Sequence, residues 1–307
     1  MCETQSDSYA TTGPLGADDF DRLRAARLET PDVIADVLSA RRRRPLVRGD
    51  KRLMIVAADH PARGALGVGS DAMAMADRYD LLQRLAVAVS RPGVDGVLGT
   101  PDIVEDLALL GVLDDKIVVG SMNRGGLRGA AFEMDDRYTA YSVPAMQRDG
   151  LDFGKLLVRI NFEDAGTAAT LEATARAVSE SAAAKLPVML EPFVSRWVNG
   201  KIVNDLSTDA VIASIAIACG LGCTSAYSWL KLPVVDDMER VMAAATLPTL
   251  LLGGDPASDP DAAYASWAKA LALPGVHGLV VGRSLLYPAD GDVAAAVDTA
   301  AALVHHA

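Results

Sequence analysis

Leu53-Met54-Ile55-Val56-Ala57-Ala58-Asp59-His60-Pro61-Ala62-Arg63-Gly64 is the stretch on which the fold turns. Its first half is an unbroken apolar run, the signature of a strand buried on both faces, as strands of parallel sheets are. Two architectures open on such a strand. A doubly wound sheet wants a glycine-rich GxGxxG loop directly after it, and the residues from Asp59 to Gly64 do not supply one. A (β/α)8 barrel places polar functional side chains at the C-terminal ends of its strands. Asp59 and His60 stand at that place.

Outward from this strand the rhythm repeats. Seven further apolar runs follow: Gly93–Gly99, Lys116–Met122, Phe153–Phe162, Pro187–Phe193, Ser225–Val234, Thr249–Gly253 and Val276–Gly282. Between them, Leu81–Val89, Thr170–Ala184, Asp209–Cys219 and Pro260–Ala272 carry helical periodicity. Alternating strands and helices imply parallel pairing, and eight such units predict an α/β (β/α)8 TIM barrel over residues 51–307. Residues 1–50 form an N-terminal extension, a polar tail followed by amphipathic helices at Asp18–Leu28 and Pro31–Arg43.

Composition narrows the function. Half of the 307 residues are hydrophobic and 22% are charged, which excludes wholesale disorder. The longest nearly apolar stretch, Ala210–Cys223, is too short and too interrupted by glycine to span a bilayer. The chain begins without a basic and then apolar leader, so a soluble cytoplasmic protein with no membrane partner is expected. A net charge of −11, from 40 acidic and 29 basic residues, disfavours nucleic acid as a partner. The basic run Arg41–Arg44 reads as a solvated cap at the end of the second helix. Cys2 is terminal, and Cys219 and Cys223 read as buried, with no second pair of ligands for zinc. The histidines, His60, His277, His305 and His306, lack HxH or HxxxH spacing. No metal and no cofactor are expected.

Seven lysines are present, and Lys155 and Lys231 lie inside strand patterns. Alternate residues of a strand share a face. With Leu156, Val158, Leu230 and Leu232 packed outward, Lys155 and Lys231 point into the barrel. A lysine there either pairs with a carboxylate at the rim or gives up its charge and presents a free amine, able to form a Schiff base with a carbonyl. Glu191, after four apolar residues of the fifth run, is either a structural ion pair or, facing Lys231, a proton shuttle. The seventh run ends in Gly253-Gly254 and the eighth in Gly282-Arg283. These are the two strand ends where barrels hold phosphate, so they read either as a phosphate cradle or as a pair of tight turns, and a phosphorylated small-molecule substrate is expected.

Taken in order, Ala57-Ala58-Asp59-His60 with Arg63-Gly64, Gly154-Lys155-Leu156-Leu157, Leu190-Glu191-Pro192, Leu230-Lys231-Leu232-Pro233, Gly253-Gly254 and Val281-Gly282-Arg283 resemble the Schiff-base (class I) aldolases of the DeoC/LacD type. That group covers tagatose-bisphosphate, deoxyribose-phosphate and archaeal-type fructose-bisphosphate aldolases. Within it the chain looks most similar to an actinobacterial group linked to inositol catabolism. The resemblance spans roughly residues 50 to 290. It implies a lyase with Lys231 as the imine lysine, Lys155 as the ammonium that lowers the pKa of Lys231, and Glu191 as the proton-transfer carboxylate. It makes Asp59 the residue that orients a substrate hydroxyl, His60 and Arg63 substrate contacts, and Gly253, Gly254, Gly282 and Arg283 the phosphate cradle. The substrate it suggests is 2-deoxy-5-keto-gluconate 6-phosphate. The chain departs from the group's pattern at His60-Pro61, at Leu252 in place of a serine, and at Phe193 in place of a tyrosine. A transaldolase or isomerase on the same scaffold, or a sugar-phosphate-binding protein without catalysis, are the alternative readings. A homo-oligomer is expected.

Overall fold

The computed structural model describes residues 14–254 and 259–306. Strands and helices alternate as the apolar runs predict. The order is α1 (Ala17–Glu29), α2 (Val33–Ala40), β1 (Leu53–Ala57), α3 (Arg78–Ser90), β2 (Gly96–Gly99), α4 (Pro101–Leu109), β3 (Ile117–Ser121), α5 (Val143–Arg148), β4 (Phe153–Ile160) and α6 (Gly166–Ala183). There follow β5 (Val188–Val198), β6 (Lys201–Asn204), α7 (Thr208–Cys219), β7 (Ser228–Pro233), α8 (Met238–Met242), β8 (Thr249–Leu252), α9 (Pro260–Leu271), β9 (Val276–Val281), α10 (Arg283–Leu286) and α11 (Val293–His305).

Eight strands pair in parallel and close on themselves in the order β1-β2-β3-β4-β5-β7-β8-β9, with β9 returning to β1. The fold is a (β/α)8 barrel. Six of the described helices begin where a side chain caps them: Asp77, Ser142, Ser207, Asp237, Asp259 and Asp292 each accept a backbone N–H of the first turn. The inner face carries Leu53, Ile55, Ala57, Leu98, Ile117, Val119, Phe153, Met189, Leu250 and Val280, all fully buried. The outer face, with Leu156, Val158, Leu230 and Leu232, packs against the helices. Among the described residues no helix is long and apolar enough to cross a membrane.

Three local expectations are corrected. First, α2 stops at Ala40 and the chain runs extended beneath the barrel, so Arg41–Arg44 is not a solvated cap. Arg41 is buried and donates to Lys116 O at 2.5 Å, Gly150 O at 2.7 Å and Asp152 at 3.0 Å. Arg44 is buried on Asp95, and Arg43 reaches Asp152 at 2.8 Å. The aspartates precede β4 and β2, so this segment is tied to the N-terminal ends of the barrel strands. Second, β5 runs on beyond the barrel and folds back as the antiparallel hairpin β5–β6. Its turn is Asn199-Gly200, both at positive φ (+50° and +72°), the pairing a two-residue hairpin demands. Third, Cys223 is exposed and Cys219 only partly buried, where α7 ends and the chain turns at Gly222 (φ +82°).

Candidate active site

The site is built by the same two-residue period that builds the core. Inner-face positions run Leu53, Ile55, Ala57 and then Asp59 along β1; Ile117, Val119 and then Ser121 along β3. Phe153 is followed by Lys155 on β4, Met189 by Glu191 on β5, and Trp229 by Lys231 on β7. One step toward the C-terminal ends, the apolar interior thus becomes a polar layer. Register sets Ser121 opposite Lys155, and Leu190 opposite Leu230 puts Glu191 beside Lys231, while across β4–β5 Glu191 is opposite Leu157, two residues beyond Lys155.

Asp59, Lys155, Glu191 and Lys231 are buried, none more than 8% exposed. The Glu191 carboxylate bridges the two amines, with Oε2 at 2.5 Å from Lys155 Nζ and Oε1 at 2.8 Å from Lys231 Nζ. Lys155 Nζ also lies 3.2 Å from Asp59 Oδ2. Burial alone would push both carboxyls up. Lys155 and Lys231 outweigh it at Glu191 and hold that group down at about 2. At Asp59 the cations Arg124, Lys155 and Lys231 likewise win, keeping it well below the carboxylate range. Burial pulls the Lys155 amine below the ordinary lysine value, against the two carboxylates that favour its charge.

His60 stands at the rim, its Nδ1 3.9 Å from Asp59 Oδ1. Desolvation, reinforced by Arg283, Lys231 and Lys155, drops it to about 3, so it is a neutral imidazole at physiological pH. Gly253 and Gly254 follow β8, and Gly282 and Arg283 follow β9; Asp255 lies outside the described residues. Gly254, exposed at φ +68°, leaves its backbone open. Gly253 and Gly282 have steric reasons for being glycine: a Cβ would come within 2.5 Å of Val281 in one case and 2.3 Å of the Ala57 carbonyl in the other.

Arg63 is not among these groups. The single 3-10 turn Pro61–Arg63 swings it away from Asp59. Its terminal nitrogens go to Gly126 O at 2.8 Å, Asn123 O at 3.3 Å and the Asp136 carboxylate, in a buried network that also holds Arg159 and Glu133. The expected substrate contact is a support beneath the β3–α5 loop.

Two polar neighbours of Asp59 escaped the sequence reading. Ser121 donates its hydroxyl to Asp59 Oδ2 at 3.0 Å, and parity along β3 would have found it. Arg124, on the loop after β3, donates to the Asp59 carbonyl at 2.9 Å and sits 3.2 Å from Oδ2. Among the described residues no three metal-ligating side chains converge.

The closed barrel thus carries two buried amines around one carboxylate at its strand ends. The family model described as Cgl0159-like matches residues 51–301. The chain belongs to the Cgl0159-like family. A crystal structure of Cgl0159 from Corynebacterium glutamicum is 67% identical, covering 95% of this chain and 98% of that one, with a TM-score of 0.93. Outside the family, an archaeal fructose-1,6-bisphosphate aldolase whose catalytic Lys is covalently bound to the carbinolamine intermediate is 19% identical, over 89% of this chain and 99% of that one (TM-score 0.63). A fructose-bisphosphate aldolase from Slackia heliotrinireducens is 15% identical, over 98% and 95% (TM-score 0.58). The Cgl0159-like chain thus shares the barrel fold of Schiff-base aldolases. No curated protein matches its sequence.

Proposed function

We propose that this chain is a class I aldolase, a lyase that makes or breaks a carbon–carbon bond in a phosphorylated ketose or keto-sugar acid through an imine on Lys231. The observation that carries the reading is the Glu191 carboxylate set between two buried amines at 2.5 and 2.8 Å. Lys155 is held by both Asp59 and Glu191, a double pairing that favours its ammonium form at rest. Lys231 has the Glu191 carboxylate as its one ion-pair partner among the described residues, and the reaction begins from its deprotonated amine.

The free amine adds to the substrate carbonyl. The carbinolamine takes a proton, loses water and becomes a protonated imine. Cleavage then sends the electrons of the breaking carbon–carbon bond into the imine, leaving an enamine, while the proton of the β-hydroxyl leaves and the aldehyde departs. Glu191, touching both amines, is placed to carry the protons of the addition and dehydration steps. Asp59 is placed to accept a substrate hydroxyl, and neutral His60 to donate or accept at the rim. Gly254 and Arg283, supported by Gly253 and Gly282, are assigned to the phosphate, whose binding energy orients the reacting carbons.

Borohydride reduction in the presence of a panel of phosphorylated ketoses, 2-deoxy-5-keto-gluconate 6-phosphate first among them, tests this. A stable adduct on the tryptic peptide carrying Lys231 is expected, and none in Lys231→Ala. An adduct on Lys155, or an unmodified peptide under turnover, overturns the assignment. Product analysis with and without an acceptor aldehyde separates an aldolase from a transaldolase.

A further inference from the structure

The buried polar layer contains one cation beyond the two lysines, and it is of a different kind. Arg124 is 7% exposed, and its backbone, Nε and Nη1 are all hydrogen-bonded while Nη2 is not. Its backbone N–H donates to Thr139 Oγ1 at 2.9 Å, and its Nε to Asn123 O at 2.6 Å. Asn123 in turn ties the loop to β4: its side-chain amide donates to Leu157 O at 2.6 Å and accepts from Leu157 N at 2.9 Å. Arg124 Nη1 is therefore delivered to Asp59 by a rigid frame, reaching both the Asp59 carbonyl (2.9 Å) and Oδ2 (3.2 Å).

The groups facing Asp59 are His60 beyond β1, Ser121 of β3, Arg124 after β3, Lys155 of β4, and, at longer range, Glu191 of β5 and Lys231 of β7. In the proposed reaction protons move within the chain Lys155–Glu191–Lys231. A carboxylate steadied by Lys155 alone would lose its counter-charge whenever that amine gave up a proton. A guanidinium keeps its proton throughout.

We propose that Arg124 is a positioning residue that keeps the Asp59 carboxylate charged and fixed while protons move along the lysine–glutamate–lysine chain. The consequence for catalysis rests on the aldolase reading; the clamp itself does not. Arg124 reaches the chemistry through Asp59, so its removal acts on the acid side of the pH profile. Without the guanidinium, Asp59 takes up a proton at higher pH, and turnover that needs the charged carboxylate fails earlier as the solution is acidified.

The experiment uses the full chain, with parent, Arg124→Gln and Arg124→Lys. Aspartate carboxyl carbons are labelled with 13C, and the Asp59 signal is assigned by Asp59→Asn. In the parent, Asp59 is expected to stay ionised down to the acid limit of folding. In Arg124→Gln its titration moves up by about one pH unit or more, and in Arg124→Lys by less. For turnover, Arg124→Gln lowers kcat/KM by roughly 10–100-fold, typical of groups that support a site residue. Its acid limb shifts in the same direction, and millimolar guanidinium restores part of the rate. An Asp59 titration identical in all three proteins overturns the proposal, as does an Arg124→Gln variant with an unchanged pH profile. Should Arg124→Gln not fold, Arg124→Lys carries the test, and an unshifted Asp59 signal there overturns it. Borohydride trapping at Lys231 in the parent is scored separately, so a failed aldolase reading is distinguished from a failed clamp.

Discussion

Replacing Glu191 by glutamine keeps the side chain's size and removes its charge, leaving two buried ammonium groups around a neutral amide. Removing one partner of a buried ion pair costs about 3–5 kcal/mol, most of it the burden of the charge left behind. The variant has an escape, because an amine can shed its proton. For an ordinary lysine near about 10.4, that costs about 5 kcal/mol at pH 7 and about 2 kcal/mol at pH 9. The stability gap between parent and Glu191→Gln is therefore capped by a quantity that falls as pH rises. An amine forced neutral in the folded state binds its proton more tightly when unfolded, so the variant gains relative stability on going to alkaline pH. On the acid side, a carboxyl held at about 2 instead of 4.5 contributes about 3 kcal/mol to the parent. That contribution is complete above pH 4.5 and disappears as pH falls through 2. Urea denaturation of both proteins at pH 5, 7 and 9 measures the gap. It should be about 3–5 kcal/mol at pH 7 and about 2 kcal/mol or less at pH 9. A gap constant across this range would mean that the bridge between Lys155 and Lys231 does not hold two charged amines, and the reasoning fails.

Other perturbations probe the supports of the site. His305, between Asp95 and Asp50, is raised to about 9, so its stabilisation is complete below 6.5 and lost as pH rises through 9. Because the imidazole is partly exposed to solvent, His305→Ala should cost only about 1 kcal/mol at pH 6 and little at pH 10; equal losses at both refute the pairing. Gly282→Ala should destabilise by about 2 kcal/mol or more, because its Cβ would meet the Ala57 carbonyl at 2.3 Å. Gly254→Ala, with open space but φ +68°, should cost about 1 kcal/mol; thermal melts of both check the order. Arg63→Met should lose about 3 kcal/mol or more by stranding Asp136. KM of the folded Arg63→Met enzyme should be unchanged, and a raised KM without lost stability would restore Arg63 as a substrate contact.

The barrel and the polar layer were legible for one reason: both depend on a period of two. Once Leu230 and Leu232 face the helices, Lys231 must face inward, and the same local logic places Lys155 and Glu191. Ser121 was equally accessible to that logic, one step beyond Val119. Features set by where a loop travels were not legible. Arg63 lies only four residues from Asp59, yet a single tight turn sends it into another network. Arg124 comes to Asp59 because Asn123 is bonded to Leu157 across a strand pair, a contact no local pattern announces. The Arg41–Arg44 reading failed for a related reason. A helix end and an extended segment carry the same four residues, and only the aspartates waiting before β2 and β4 decide between them. Asn199-Gly200 is the exception, a hairpin turn written in the sequence that the count of eight runs passed over.

The glycines at the ends of β8 and β9 change how the phosphate assignment must be weighed. Gly282 would be required with no ligand at all, because β9 approaches β1 closely enough for a Cβ to strike the Ala57 carbonyl, and Gly253 is similarly confined by Val281. Their presence is explained by strand packing before any substrate is considered. What packing does not explain is Gly254, open and in the left-handed region, and a guanidinium at position 283 near enough to depress the imidazole of His60. Gly254 and Arg283 are therefore the residues whose presence an anion would explain. Arg283→Ala should raise KM for a phosphorylated substrate by a factor worth about 2 kcal/mol and leave its unphosphorylated analogue unaffected. Equal effects on the two substrates would leave the barrel and its buried amines intact and move the phosphate elsewhere on the rim.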